Sequence, residues 1–310
     1  MEFKEKPFVS IVVYLYNSSK EIEAFLKNIN NIISSKFENY EYIFVDDFSQ
    51  DGTYEKLIEV TKTMKIKVSI IRLARKHNKE LALLAGADKS VGDYIFEFET
   101  PIIDYPIELI NEMYNRTKKG YDVVTLEPTK RAFFTKVFYF LFNKFSYIDY
   151  NVYTERIILY SRRAMNSILN INEKIRNRKA LLFLTGFMKT NIRFSSINNN
   201  YRDTRKFFEK IQMAVEILVS YSSIGTKLPI FLSIIFILFS ICASLFAVYI
   251  RYFKAGIVSG WASMIIFLSI SFAGLFFILG ILSEYISKIL KESINIPLYT
   301  IQKMYSGNDL

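Results

Sequence analysis

Residues 40–74, YEYIFVDDFSQDGTYEKLIEVTKTMKIKVSIIRLA, contain a complete strand–helix–strand pattern. Apolar residues dominate the two outer segments, YEYIFVDD and KVSIIRLA, whereas TYEKLIEVTKTM between them is typical of a helix. When a helix connects two strands, the strands pair in parallel. The helix is the crossover connection that returns the chain to run in the same direction again. The stretch therefore predicts a parallel sheet that is covered by helices.

The same alternation extends to both sides of this unit. A strand and a helix precede it, FVSIVVYLYN and SKEIEAFLKNINNIISS, and a helix, a strand, a helix and a strand follow it, NKELALLAGADKS, DYIFEFE, PIELINEMYNRTKKG and YDVVTLEP. We expect Gly120 to end the last of these helices as its C-cap. Five strands in residues 1–128 predict an α/β domain of the nucleotide-binding type.

Composition narrows the class of protein further. The chain of 310 residues is 51% hydrophobic, which excludes a disordered protein. With one cysteine, Cys242, and one histidine, His77, the sequence excludes disulfides, Cys-rich zinc sites and a Cys–His nucleophile pair. The formal charge of +10 suits a surface that faces anionic lipid or a nucleotide diphosphate. Nucleic acid is not expected as a partner, because the basic residues are scattered and no recognition motif accompanies them.

Two long segments predict membrane spans. Residues 228–250 and 255–283 contain no Asp, Glu, Lys, Arg or His, and each exceeds the roughly 20 residues that cross a bilayer as a helix. Buried core helices are the alternative, but such helices are usually shorter. Lysines flank the pair more often than they occur in its connection, and the start of the chain lacks the pattern of a signal peptide. We therefore expect a multi-pass protein of the inner (plasma) membrane with residues 1–226 and the tail 284–310 in the cytoplasm.

Residues 129–226 differ in character from the α/β part. Phe and Tyr alternate with Lys and Arg in KRAFFTKVFYFLFNKFSYI, residues 130–148, and a second amphipathic stretch covers residues 205–225. Aromatic and basic helices of this kind fit the plane of the membrane interface, although a plain core helix is the alternative for the first stretch. The α/β domain is thus predicted to be seated on the bilayer.

Carboxylates stand at the ends of two predicted strands. Asp46 and Asp47 are adjacent and would repel each other unless they bind hydrogen-bond donors or a cation. The alternative is that Ser49 or Asp51 caps the next helix and the pair is solvated. In YIFEFETPIIDYP, residues 94–106, proline ends the strand and leaves Glu99 at its carboxyl edge, where open α/β sheets bind ligands. Glu99 is either a metal ligand or only the polar end of a strand.

The motifs VSIVVYLYN, FVDDFSQDGT, RKHNKELALLAG, GDYIFEFE and GYDVV resemble, in order and spacing, the glycosyltransferase family 2 domain of polyprenyl-phosphate glycosyltransferases. This group includes the bactoprenol glucosyltransferases and dolichol-phosphate mannose synthase. The GW pair at residues 260–261 and the segment LGILSEYISKILKESINIPLY resemble the second span and tail of the bactoprenol branch. The resemblance implies a GT-A-type fold, followed by interfacial helices and two transmembrane helices. It also implies inverting transfer of a sugar from a nucleotide sugar, expected to be a UDP-sugar, to polyprenyl phosphate at the cytoplasmic face.

The resemblance also implies roles for particular residues. The nucleotide would be held by residues near the first three strands: Tyr16, Asp46, Asp47, Arg75 and Lys79. The catalytic group would comprise Glu99, Asp104, Lys179 and Lys206, with Lys206-Phe207 in place of a Lys-Tyr pair in a mobile loop. The Asp-x-Asp metal motif of the family corresponds to Glu99-Thr100-Pro101, so Mg²⁺ or Mn²⁺ would be bound by Glu99. Three more family positions differ: its Gly-Asp-Phe-Arg corresponds to residues 155–158, its Arg-Gly-Leu to 179–181, and its first-strand proline to Tyr14.

Three functions follow from these observations. The first is an active glycosyltransferase of cell-surface polysaccharide synthesis, in which Glu99 and Asp104 substitute in the metal site. The second is a membrane pseudoenzyme that binds a nucleotide sugar, a lipid phosphate or a protein partner. The third, a channel or carrier, is disfavoured because neither predicted span contains an ionisable residue. Two spans form a thin membrane part, so a homo-oligomer is an open expectation.

Overall fold

The computed structural model of the chain describes residues 4–64, 66–129, 155–171, 185–197, 260–293 and 297–307, together with parts of 231–249. These residues belong to two compact units. An α/β unit contains the described residues up to 197 and residues 297–307. The second unit contains the described residues between 231 and 293. The two predicted interfacial helices, residues 130–148 and 205–225, lie outside the described residues.

The α/β unit is built on an eight-stranded sheet with the order β7-β5-β6-β4-β1-β2-β3-β8. Its strands are β1 Val9–Leu15, β2 Tyr40–Asp46, β3 Val68–Leu73, β4 Tyr94–Phe98, β5 Val123–Pro128, β6 Ile157–Ser161, β7 Lys189–Phe194 and β8 Ile301–Ser306. Neighbours among β4, β1, β2 and β3 pair in parallel, as do β5 and β7. By contrast, β6 is antiparallel to β4 and β5, and β8 is antiparallel to β3.

The five strands predicted in residues 1–128 are confirmed as β1 to β5. Most of their buried side chains are apolar, because a sheet with helices on both faces exposes neither side of a central strand to water. Glu99 directly follows β4, as the Thr100-Pro101 pair predicts. Gly120 has φ +95°, a left-handed conformation that suits its predicted position beyond the helix end.

Helices cover both faces of the sheet. In the α/β unit they are α1 Ile22–Lys36, α2 Thr53–Met64, α3 Lys79–Lys89, α4 Leu109–Thr117 and α5 Arg162–Asn170. The core on one face contains side chains of α1, α2 and α4, and the core on the other face contains those of α3 and α5. This three-layer arrangement confirms an α/β fold with a mostly parallel sheet.

The end of the chain differs from the sequence prediction. Residues 284–310 were predicted as a cytoplasmic tail, and within them β8 pairs with β3 over Ser69–Leu73 and completes one edge of the sheet. The amide of Gly307 extends this pairing by donating to the carbonyl of Val68 at 2.8 Å. A segment that follows the apolar helices is therefore part of the α/β unit.

The second unit contains helix α6, Trp261–Ser293. Within it, residues Ile266–Ser283 are long and apolar enough to cross a membrane, and most of the described apolar side chains there are exposed. Only part of the first predicted span, residues 228–250, is described, and those described residues from 231 onward are helical. One candidate span, Ile266–Ser283, is thus found among the described residues. The other span, predicted at residues 228–250, stays a prediction.

Candidate active site

The candidate site is a crevice at the carboxyl ends of the central strands. The chain leaves β1 toward β2 and β3 on one side and returns to β4 on the other, so the direction of strand order changes between β4 and β1. Ligands bind at such switch points in open α/β sheets, because the loops from the two neighbouring strands diverge there. Tyr14 and Asp46 lie at this edge, near the ends of β1 and β2. Three more residues lie just beyond the ends of β1, β2 and β4: Tyr16, Asp47 and Glu99.

Asp47 connects three elements at this edge. Its Oδ1 accepts the backbone N–H of His77 at 2.7 Å, and its Oδ2 accepts the hydroxyl of Tyr14 at 3.2 Å. The side chain is fully buried. Burial raises the pKa of the Asp47 carboxyl, partly offset by the hydrogen bonds from His77 and Tyr14. Asp47 thus fixes the loop after β3 against the end of β1.

Asp46 faces a different set of partners. It accepts the backbone N–H of Ser49 at 3.1 Å, and its Oδ2 lies 3.6 Å from Nε of Arg72. Arg72 also donates to the carbonyl of Ser49 at 3.1 Å and pairs with Glu55 at 3.3 Å. Burial raises the pKa of the Asp46 carboxyl, while Ser49 and Arg72 lower it. Asp46 and Arg72 together hold the loop between β2 and α2.

Two non-glycine residues lie in the left-handed region near Asp46 and Asp47: Asn17 in the loop after β1, with φ 49°, and Phe48 in the loop after β2, with φ 63°. Two hydrogen bonds join the loop after β1 to the loop after β2 and stabilise these conformations. The amide of Gln50 donates to Asn17 Oδ1, and the amide of Asn17 donates to Ser49 Oγ, both at 2.9 Å. Such backbone conformations are costly and occur often where a binding surface requires them. The strain lies beside the two aspartates, at the same edge of the sheet.

The solvated-pair alternative for Asp46 and Asp47 is wrong, because both carboxylates are fully buried and hydrogen-bonded. Part of that alternative holds for Asp51, which accepts the amide of Thr53 at 3.1 Å at the start of α2. Asp51 therefore makes the hydrogen bond at the start of α2. Asp46 and Asp47 instead hold together the loops that line the crevice.

The loop after β3 brings cations to the crevice. Lys79, the first residue of α3, places Nζ 3.1 Å from Oε2 of Glu99. Asn78 caps the helix by accepting the amide of Leu81 at 2.8 Å, which fixes where α3 begins. Lys76 lies over the ring of Tyr16, 4.1 Å from its centroid. Arg75 is exposed on the same loop.

The residues at the end of β4 do not fit a divalent metal ion. The near oxygen of Glu99 already pairs with an ammonium, Thr100 carries no charge, and Pro101 has no side-chain ligand. Among the described residues no group of three or more His, Cys, Asp or Glu side chains is arranged to hold an ion. Glu99, the predicted metal ligand, therefore forms an ion pair with Lys79 in the structure.

Asp104, predicted as a substitute metal ligand, forms an ion pair with Arg156. Both of its oxygens lie within 3.2 Å of Arg156 Nε, and one oxygen accepts from Ser196 Oγ at 3.2 Å. The carboxylate is buried and engaged in this pair. The amide of Glu99 donates to the carbonyl of Arg156 at 3.1 Å. The ion pair of Asp104 with Arg156 therefore stabilises the end of β4. We therefore leave Asp104 out of the reacting group.

The structure thus brings together five of the predicted site residues: Tyr16, Asp46, Asp47, Lys79 and Glu99. Lys179 and Lys206 lie outside the described residues, and their roles stay predictions. Sequence reasoning missed Arg72 and the amide of His77. Arg72 had a visible signal, because it is the one charged residue inside the apolar strand KVSIIRLA after its first lysine. The His77 contact had none, since it is made by the backbone.

Comparisons with known proteins agree with the fold. A family model described as "Glycosyl transferase family 2" matches residues 10–169. The chain is 29% identical to "Uncharacterized glycosyltransferase YkcC" of Bacillus subtilis (strain 168), covering 96% of this chain and 94% of the relative. It is 26% identical to "SfII prophage-derived bactoprenol glucosyl transferase" of Shigella flexneri, covering 97% and 99%.

A solved structure shares the architecture of the α/β unit. It is glucosyl-3-phosphoglycerate synthase from Mycobacterium tuberculosis in complex with Mn²⁺, uridine diphosphate and phosphoglyceric acid. The TM-score is 0.50 at 15% identity, and the match covers 69% of this chain and 76% of that chain. Likeness at this level of identity shows a shared GT-A-like fold.

Proposed function

The chain belongs to glycosyltransferase family 2, and we propose that it transfers a sugar from a nucleotide diphosphate sugar, expected to be a UDP-sugar, to polyprenyl phosphate at the cytoplasmic membrane face. The acceptor class is suggested by the bactoprenol glucosyl transferase among its relatives, which matches over nearly the full length of both chains. Inversion at the anomeric carbon is part of the proposal.

The observation that carries this proposal is the assembled crevice at the carboxyl ends of β1, β2 and β4. One side presents buried carboxylates and the ring of Tyr16, which suit the hydroxyls and base of a nucleoside. Two cations lie beside these groups, Lys76 over the Tyr16 ring and Lys79 against Glu99, and both suit a diphosphate. A donor laid across the crevice would have its nucleoside near β2 and its sugar near the end of β4.

The chemistry needs little help from a general base. A phosphate monoester is already ionised at neutral pH, so its oxygen can attack the anomeric carbon directly. A carbon–oxygen bond forms to the lipid phosphate as the bond to the β-phosphate of the nucleotide breaks. The electron pair leaves with the β-phosphate oxygen, so the leaving nucleotide gains the negative charge that the acceptor phosphate loses. Positioning and neutralising that leaving group carry most of the catalysis.

The sheet topology supports a two-span membrane arrangement. Strand β8 follows α6 in the chain and yet pairs with β3 of the same sheet. A polar α/β unit does not cross a bilayer, so both ends of the apolar segment must emerge on one side. If α6 spans, a second crossing must lie between residues 197 and 260, where the charge-free residues 228–250 are long enough.

We therefore expect residues 50 and 303 to share one side of the membrane. Residue 256, in the connection 251–260 that precedes α6 and its candidate span Ile266–Ser283, should face the other side. Gln50→Cys, Lys303→Cys and Gly256→Cys would each be made in a Cys242→Ala background and treated with an impermeant maleimide on intact cells. The expected result is labelling at residue 256 only. Labelling at residue 50 but not at residue 256 would overturn the cytoplasmic assignment, and opposite results for residues 50 and 303 would contradict the even number of crossings.

The transfer itself is tested by donor consumption. Purified full-length chain in vesicles is supplied with a panel of UDP-, GDP- and ADP-sugars, with and without polyprenyl phosphate, and free nucleoside diphosphate is measured. We expect one donor class to release its nucleotide, and only when the lipid phosphate is present. Nucleotide binding without lipid-dependent release from any donor would contradict the transferase proposal and support the binding-protein alternative.

A further inference from the structure

We propose that the ammonium of Lys79 supplies the positive charge that stabilises the leaving diphosphate, so that transfer proceeds without a divalent metal ion. The inference rests on the proposed transferase function and adds a catalytic residue to it. It replaces the metal that the sequence prediction placed on Glu99 with a side chain from α3.

The position of Lys79 is fixed from both ends. Its backbone begins α3, whose start is set by the Asn78 cap, and its Nζ donates to Glu99 Oε2 at 3.1 Å. The Glu99 side chain is only 5% exposed, whereas that of Lys79 is 23% exposed. The carboxylate therefore anchors the ammonium at the end of β4, while part of the Lys79 side chain stays accessible to solvent.

This pair competes with a metal ion for the same oxygen. A divalent cation binds carboxylate oxygens at about 2.0–2.6 Å, and an ammonium already in contact with that oxygen would lie within a few ångströms of it. Like charges at that separation repel strongly in a partly buried site. Thr100 and Pro101 add no carboxylate that could draw the ion away from the ammonium. Within the described part of the chain, the end of β4 thus holds a monovalent cation, the ammonium of Lys79.

Lys79 is also able to serve the leaving group. An ammonium has three donors, so one can stay on Glu99 while the others turn to phosphate oxygens. Its Nζ lies 5.9 Å from the ring centroid of Tyr14, whose hydroxyl is bonded to Asp47. The cation is therefore adjacent to the same residues that form the nucleotide side of the crevice. As the bond to the β-phosphate breaks, the new negative charge develops beside this ammonium.

The test compares nucleotide release by full-length wild type and variants with excess EDTA and with Mg²⁺ or Mn²⁺. We expect wild-type kcat to agree within about threefold between these conditions, because no metal worth several kcal/mol is being removed. Lys79→Met should lower kcat by about 100-fold or more, the usual cost of one group that stabilises developing charge. Lys79→Arg should restore part of that loss. Lys89→Met, an exposed lysine at the other end of α3, is the matched control and should leave kcat unchanged.

A further variant gives a readout that a structural role would not move. Lys79→Met combined with Pro101→Asp removes the ammonium and adds a second carboxylate, so its residual activity should become dependent on Mn²⁺. Thermal unfolding of each variant checks that it is folded. If wild type loses its activity in EDTA, or Lys79→Met is as active as wild type, the inference is wrong and the transferase proposal stands. If wild type transfers no sugar in any of these conditions, the transferase proposal itself fails.

Discussion

Replacing Asp47 with alanine is expected to lower the affinity for UDP by about 100-fold or more. The carboxylate accepts the amide of His77 at 2.7 Å and the hydroxyl of Tyr14 at 3.2 Å, so its removal releases the loop that carries Lys76 and Lys79. Hydrogen bonds to a charged group contribute about 1.5–3 kcal/mol each, and each 1.4 kcal/mol changes affinity about tenfold. Calorimetric titration of UDP into the solubilised full chain measures the change.

Two variants are matched controls for this result. Asp51→Ala removes a carboxylate from the same region whose contacts are with Ser19 and Thr53 at the start of α2, so UDP affinity should change little. His77→Ala should only weaken binding, because alanine retains the backbone hydrogen bond to Asp47 and removes only the longer ring contact, 3.9 Å from Nδ1 to Asp47 Oδ1. Unchanged UDP affinity in Asp47→Ala would remove the nucleotide site from this edge of the sheet.

Replacing Arg72 with methionine is expected to reduce the stability of the β2–β3 region by about 3–5 kcal/mol, the usual cost of leaving a buried charge without its partner. Asp46 is fully buried, and Arg72 is the cation beside it at 3.6 Å. Hydrogen exchange of the β2 and β3 amides in the solubilised full chain gives the free energy of opening. Glu55→Gln, which removes only the exposed partner of Arg72, should change it by about 0.5 kcal/mol or less.

The deficit of Arg72→Met should depend on pH in a defined direction. Burial raises the pKa of Asp46 above its ordinary 3.8 in the folded protein, and loss of Arg72 raises that pKa further. A raised folded pKa contributes stability that is fully present below the unfolded pKa and is lost as pH rises through the folded value. The variant should therefore be closest to wild type near pH 3.8 and furthest from it at neutral pH. A deficit that is equal at both pH values would contradict the pairing of Arg72 with Asp46.

Much of the fold was predictable because its first 128 residues carry local signals. Apolar runs bounded by turn residues located β1 to β5, and the charge pattern located α1 to α4. The later strands lacked such signals. β6 has only four apolar residues among its five, too few to separate a strand from a helix turn. β8, IQKMYS, is an edge strand with no apolar run, and even its Met304 is exposed. Their assignment depends on pairing with distant strands, which no local pattern contains.

The candidate site divides in the same way. Asp46, Asp47 and Glu99 were predictable, because each lies at or directly after the end of an apolar strand and parallel strands end at one edge. The pairing of Glu99 with Lys79 was not, since it joins residues 20 apart through a helix start and a strand end whose separation is set by the sheet. Asp104 looked like a substitute metal ligand only because Arg156, 52 residues away, is not its neighbour in sequence.

The central claim is that the crevice moves a sugar onto a lipid phosphate, and mass spectrometry of the lipid product tests it most directly. Full-length chain in vesicles that contain undecaprenyl phosphate would be supplied with a panel of ¹³C-labelled nucleotide sugars. The masses and fragment ions of the extracted lipids would then be measured. We predict a lipid phosphodiester that carries one labelled sugar from a single donor class, absent when Asp47→Ala replaces wild type. Labelled free sugar with no sugar-bearing lipid from any donor would contradict the account.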